Sequence, residues 1–132
     1  MKFVSKYVGD IKENDKKYYY KAPDGSIIRQ FPSGEKGGLA HCTLPPNVIS
    51  KAVKHRTVEE LWYCICGQGK FWRKQEDIEE ELPVFPGMYF TIPVGAHFQF
   101  KNEKDIDLIF LITTIPVWPG SSEAVPVDDH WK

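Results

Sequence analysis

Short runs of β-branched and aromatic residues recur about every ten positions along this 132-residue chain, each cut off by Gly or Pro. That rhythm restricts the fold more than any other feature. No stretch keeps an apolar stripe at the helical period, and the runs are of strand length. Tyr18-Tyr19-Tyr20 leads into Pro23-Asp24-Gly25, where Pro presets φ and Gly accepts a positive one. Residues 26–31 follow as a strand, ended by Pro32-Ser33-Gly34, and residues 39–44 as another, closed by Pro45-Pro46. Residues 61–66, the Gly67-Gln68-Gly69 turn and residues 70–74 read as a hairpin. The acidic stretch 75–81 reads as an exposed loop, and residues 89–92, 97–101 and 108–114 complete the strands. Many short strands with such punctuation predict an all-β fold, a single antiparallel barrel or jelly roll.

The length fits one domain over residues 1–132, with a core at roughly 39–115. Residues 1–31 and an extended, Pro-rich tail, 116–132, are expected to pack on that core, with Trp118 and Trp131 as anchors for the tail. Seventeen basic residues against eighteen acidic ones leave a net charge of −1, so no global field favours nucleic acid. The first fifteen residues lack the unbroken apolar run of a signal peptide, and residues 106–115 are too few to span a bilayer as a helix. Three cysteines without a CxxC pair point to a reduced, cytoplasmic protein.

Two segments carry chemistry. In the first, His55 is followed five residues later by Glu60 and then by Gly67; the second runs Gly87, five residues, Pro93-Val-Gly95-Ala-His97, and on to Asn102. Together they resemble the two motifs of the cupin superfamily, G-x5-H-x-H-x3–4-E-x6-G and G-x5-P-x-G-x2-H-x3-N. The resemblance covers residues 39–115 and implies a double-stranded β-helix with a mononuclear metal centre on His55, Glu60 and His97. Two imidazoles and a carboxylate suit Fe, Mn, Ni or Zn. The chain departs from the pattern three times, first in lacking the Gly that opens the first motif, where it reads Leu44-Pro-Pro-Asn-Val48. Val53 stands where the first motif has another His, and one residue is missing between Gly95 and His97.

Strand parity extends the expectation. An inward Glu60 puts Trp62 and Cys64 on its face, and an inward His97 puts Gln99 there too, sending Phe98 and Phe100 outward. His41 is either a polar strand residue or a substitute fourth ligand, Gln99 either a weak ligand or a pocket residue that supports the ligands, and Cys64 either a soft ligand or a small core residue. An outward apolar face predicts a homodimer, unless the N-terminal strands or the tail cover it from within. No catalytic residue is identifiable. Function divides between a metal-dependent enzyme on a small polar metabolite (isomerase, epimerase or dioxygenase-like), a non-catalytic binder of a sugar or carboxylic acid, and a structural protein. Neither nucleic acid nor a membrane is an expected partner.

Overall fold

The computed structural model describes residues 2–132. Eleven strands follow one another: β1 (Tyr19–Lys21), β2 (Ile27–Gln30), β3 (Gly38–Leu44), β4 (Val53–His55), β5 (Glu59–Cys66), β6 (Gly69–Gln75), β7 (Ile78–Val84), β8 (Tyr89–Ile92), β9 (His97–Lys101), β10 (Leu108–Ile115) and β11 (Ala124–Pro126). They form two antiparallel sheets, ordered β1-β2-β3-β10-β5-β8 and β11-β4-β9-β6-β7. This is a jelly roll, as the strand rhythm predicts.

An aromatic cluster occupies the middle of the space between the sheets, flanked by aliphatic side chains. Trp62 of β5 lies at the centre of the cluster, with ring centroids 4.9 to 5.8 Å from Phe71, Phe90, Phe98, Phe100 and Phe110. Edge-to-face and offset contacts of this kind add to the large area each ring removes from water. Truncating such a core aromatic to Ala costs about 3–5 kcal/mol.

Three expectations need correction. Residues 61–66 and 70–74 do not pair as a hairpin: β5 hydrogen-bonds β10 and β8, while β6 hydrogen-bonds β7 and β9. Gly67-Gln68-Gly69 is a corner where the chain changes sheets. Gly67 sits at φ +87°, and a Cβ there would strike the Asp107 carbonyl and lie 2.8 Å from Leu108 Cα; one on Gly69 would strike the Lys101 carbonyl. The glycines serve close passage past a neighbouring strand, which looks in sequence like a hairpin turn.

The acidic stretch is not a loop either, since β7 begins at Ile78 and pairs with β6 through Glu79, Glu80 and Glu81. The reversal uses Glu76-Asp77, with Glu76 at φ +54°, a turn without the usual Asn-Gly signal. Its charges are matched from the paired strand, with Trp72 Nε1 donating to Glu79 at 2.8 Å and Arg73 Nε to Glu80 at 2.7 Å.

The third correction concerns phase. Phe98 and Phe100 point into the core, so His97 and Gln99 face out. The outer face of this sheet is covered by the tail. His130 stacks on Trp72 at 4.8 Å with nearly parallel planes, and Gln99 Oε1 accepts from the backbone N–H of both His130 and Trp131 at 2.8 Å. Gln99 Nε2 donates to the carbonyls of Ser50 and Trp131. The reason given for a dimer at Phe98 and Phe100 therefore falls away. Exposed apolar side chains lie instead on the other sheet, at Leu39, Tyr63, Ile65 and Tyr89.

Candidate functional site

His55 ends β4 and Glu60 is the second residue of β5, so the short connection over residues 56–58 brings them side by side. That connection is clamped by the tail. Glu123 accepts from the Thr57 N–H at 2.7 Å, from the Thr57 hydroxyl and from the Val58 N–H, and its own carbonyl takes the Arg56 N–H. Burial opposes ionisation of Glu123, but these hydrogen bonds prevail and hold its carboxyl below the ordinary range. On the other side, Gly95 N–H donates to the His55 carbonyl at 3.0 Å, tying β4 to the turn before β9.

Both side chains are buried between the sheets, His55 4% and Glu60 5% exposed. His55 Nδ1 lies 3.6 Å from Glu60 Oε1, beyond a good hydrogen bond, and finds no other partner. Glu60 Oε1 accepts from Trp62 Nε1 at 3.0 Å. Phe98 and Trp118 each meet the imidazole edge-on at 5.1 Å. Burial dominates the electrostatics of the pair. It raises the Glu60 carboxyl to about 8, against the Trp62 hydrogen bond, with help from the charges of Asp24 and Glu123. It lowers His55 to about 4, although Glu123 pulls the other way. At neutral pH the pair is a carboxylic acid beside an uncharged imidazole, one group able to donate a proton and one able to accept.

The pair lines a cavity of about 50 Å³, room for little more than one or two waters. Tyr20, Asp24, Cys42 and Thr114 line it too. Asp24 Oδ1 is occupied by the Ser26 N–H and hydroxyl at 2.8 and 2.6 Å. The Thr114 hydroxyl, like His55 Nδ1, has no partner among the described residues.

The structure brings together two of the three expected metal ligands. His97 pairs with Lys54 across β4 and Lys74 across β6, on the outer face, where partial burial and those two ammonium groups lower its pKa. No residue is in fact missing after Gly95, and the motif's own spacing explains the error. Counted from Gly95, the motif's histidine falls on Phe98, and Asn102 keeps the motif's spacing from Phe98 rather than from His97. Val53 and Phe98 are directly paired, and both line the cavity beside His55 and Glu60. The donor set is one imidazole and one carboxylic acid, with apolar side chains in the other two positions. Among the described residues no three His, Cys, Asp or Glu side chains converge to hold a metal ion. These residues do not fit a mononuclear centre of the expected kind.

Of the remaining candidates, Trp62 lines the cavity and holds Glu60. Cys64 lies on the same face but is packed in the core. His41 projects on the opposite face of β3 from Ala40 and Cys42, beside Arg29. Gln99 fastens the tail. Sequence reading missed Tyr20, Asp24, Trp118 and Glu123. The first two look like a strand aromatic and a turn residue, and nothing local marks the tail residues as site-forming.

No protein-family model matches the chain. It is 31% identical over 109 residues to the uncharacterized protein MJ1618 of Methanocaldococcus jannaschii, covering 79% of this chain and 84% of that protein. Among solved structures it resembles the capsular polysaccharide assembling protein CapF of Staphylococcus aureus, with TM-score 0.71, 17% identity, and coverage of 84% of this chain and 32% of that one. It also resembles Bacillus subtilis oxalate decarboxylase, a protein with Mn(II) centres, with TM-score 0.68, 17% identity, and coverage of 77% and 28%. The chain thus spans about a third of the length of these structures, and at such identity the likeness is one of fold. By sequence the chain belongs to the same family as MJ1618, and its fold is that of the cupins.

Proposed function

We propose that this cupin binds a small polar metabolite without a metal, through the protonated Glu60 and the neutral His55. One observation carries the reading. A buried carboxylic acid sits beside an imidazole nitrogen that has no partner among the described residues, in a cavity that shares four lining residues with a larger cleft. Buried polar atoms are almost always satisfied, so such a nitrogen at a cavity wall is a place where water or a ligand hydroxyl docks. A hydroxyl meeting this pair accepts from Glu60 and donates to His55, and neither group needs to be ionised. This favours the binding of a sugar or carboxylic acid over metal-dependent chemistry.

The test is a thermal-shift screen of chelator-treated protein against sugars and hydroxy acids. A ligand at a hundred times its dissociation constant adds about 2.7 kcal/mol of stability. That gain should disappear in His55→Ala and shrink in Glu60→Gln. Elemental analysis of untagged protein provides the opposite outcome. A stoichiometric transition metal that is lost in Glu60→Gln would overturn the reading.

A second reading is favoured by the Glu60 value near 8. An acid poised there and a base 3.6 Å away are placed to move a proton on and off a bound substrate, as an isomerase or epimerase requires. Exchange of a ligand C–H for solvent deuterium, lost in Glu60→Gln with binding retained, separates catalysis from binding alone.

A further inference from the structure

We infer that the cleft outside the cavity seats the anionic group of a hydroxylated small molecule, a phosphate ester or a carboxylate, whose uncharged end reaches Glu60 and His55. This rests on the reading of that pair as a ligand-holding couple. The cleft encloses about 690 Å³, within the range of small-molecule sites, and shares Tyr20, Pro23, Gln30 and Trp118 with the inner cavity. A ligand filling both passes between Tyr20 and Trp118.

The two compartments differ in charge. Lys16, Lys17 and Lys21 line the cleft, and among the described residues no acidic side chain does. Among the described residues the Lys and Arg side chains in ion pairs, Lys70, Arg73 and Lys101, lie elsewhere. In a chain of net charge −1, three ammonium groups around one concavity form a local positive field that attracts an anion and orients it. The walls between them are aromatic. Tyr18, Phe31 and Trp118 offer flat faces to a sugar ring or similar body, and Lys17 Nζ is held 5.3 Å from the centre of the Tyr18 ring. The inner compartment suits an uncharged end. Ionising Glu60 or His55 there is opposed by burial, and Asp24 and Cys42 are pushed up in the same way. A free anion in that compartment would find no cation, whereas hydroxyls find donors and acceptors. The polarity of the two compartments thus fixes the ligand's direction, anion outward and hydroxyls inward.

Glucose 6-phosphate, glucuronate and glucose are suitable probes, followed by amide and indole N–H NMR shifts at low salt. The Trp62 indole N–H, bonded to Glu60, reports the inner cavity, and the amides of residues 16–21 and 117–121 report the cleft. At least one anionic probe should move both sets and bind about tenfold tighter than glucose. That preference should vanish in the triple variant Lys16→Gln, Lys17→Gln, Lys21→Gln, or on raising ionic strength to about 0.3 M. Phosphate and carboxylate as the preferred group are told apart by which anionic probe binds. Shifts at Trp62 without any at the cleft, or an anion preference that survives the triple substitution, overturn this inference and leave the couple standing. Shifts at the cleft without any at Trp62 sink the couple as the ligand's inner anchor and, with it, the ligand's direction. Silence in both sets refutes both.

Discussion

Replacing Glu60 by Gln provides the most direct probe of the site, because the Gln amide oxygen can still accept from Trp62 Nε1 while the titrating proton is gone. In the folded chain the Glu60 carboxyl titrates near 8, against an ordinary 4.5. Between those values the folded state binds a proton that the unfolded state has released, so stability falls as pH rises. His55 works oppositely. Its folded value near 4 lies below the ordinary 6.5, so it adds stability as pH rises between the two. The effects largely cancel from pH 4.5 to 6.5, and above 6.5 the Glu60 slope stands alone. At most about 1.4 kcal/mol per pH unit, it amounts to about 2 kcal/mol between pH 6.5 and 9. For a domain of this size that corresponds to a midpoint lowered by about 7 °C. Urea or thermal unfolding of both proteins across this range measures it directly. The wild type should lose stability toward alkaline pH relative to Glu60→Gln. Parallel curves would refute the reasoning, since they require a Glu60 already ionised at neutral pH by a cation or by water.

Other outcomes follow from the same geometry. Phe98→His with Val53→His should complete a set of three imidazoles and Glu60, and calorimetric titration with Ni(II) or Mn(II) should show one tight site where the natural chain shows none. His97→Ala, on the outer face, should leave the response to metals and ligands unchanged. Gln99→Ala removes the partner of four backbone groups, two of them N–H groups of the tail, and should cost about 2 kcal/mol in urea while exposing residues 126–132 to protease. Gly95 sits at φ +81° with open space around it, so Gly95→Ala should cost about 1 kcal/mol and Gly95→Val about 2–3 kcal/mol, purely through backbone strain.

Much of the architecture was legible because strands and turns are written locally. Residues 89–92 and 97–101 match β8 and β9, and the tilt of Glu60, Trp62 and Cys64 toward one face followed from alternation within β5. What failed was whatever depended on another strand. The corner at Gly67-Gln68-Gly69 has the composition of a hairpin turn, and only the neighbouring carbonyls of Asp107 and Lys101 reveal why glycines stand there. His97 went astray for a related reason. Strand period is two, so placing the motif's histidine at His97 and not at Phe98 inverts every side chain of β9. A histidine with a plausible spacing lay one step from the inward position, and Phe98 occupied that position. The clamp of Glu123 on Thr57 spans 66 positions and leaves no trace in local pattern.

The tail has a consequence for how the molecule comes into being. Trp118, which walls both compartments, and Glu123, which sets the His55 connection, leave the ribosome only after ten of the eleven strands. The aromatic interior among β3, β5, β6, β8, β9 and β10 is already in hand by then. The residues that build the scaffold and those that complete the chamber are thus separate in sequence. Residues 116–132 supply walls and clamps of the cavity and few of the core contacts, so changes there can reshape the chamber without rebuilding the core.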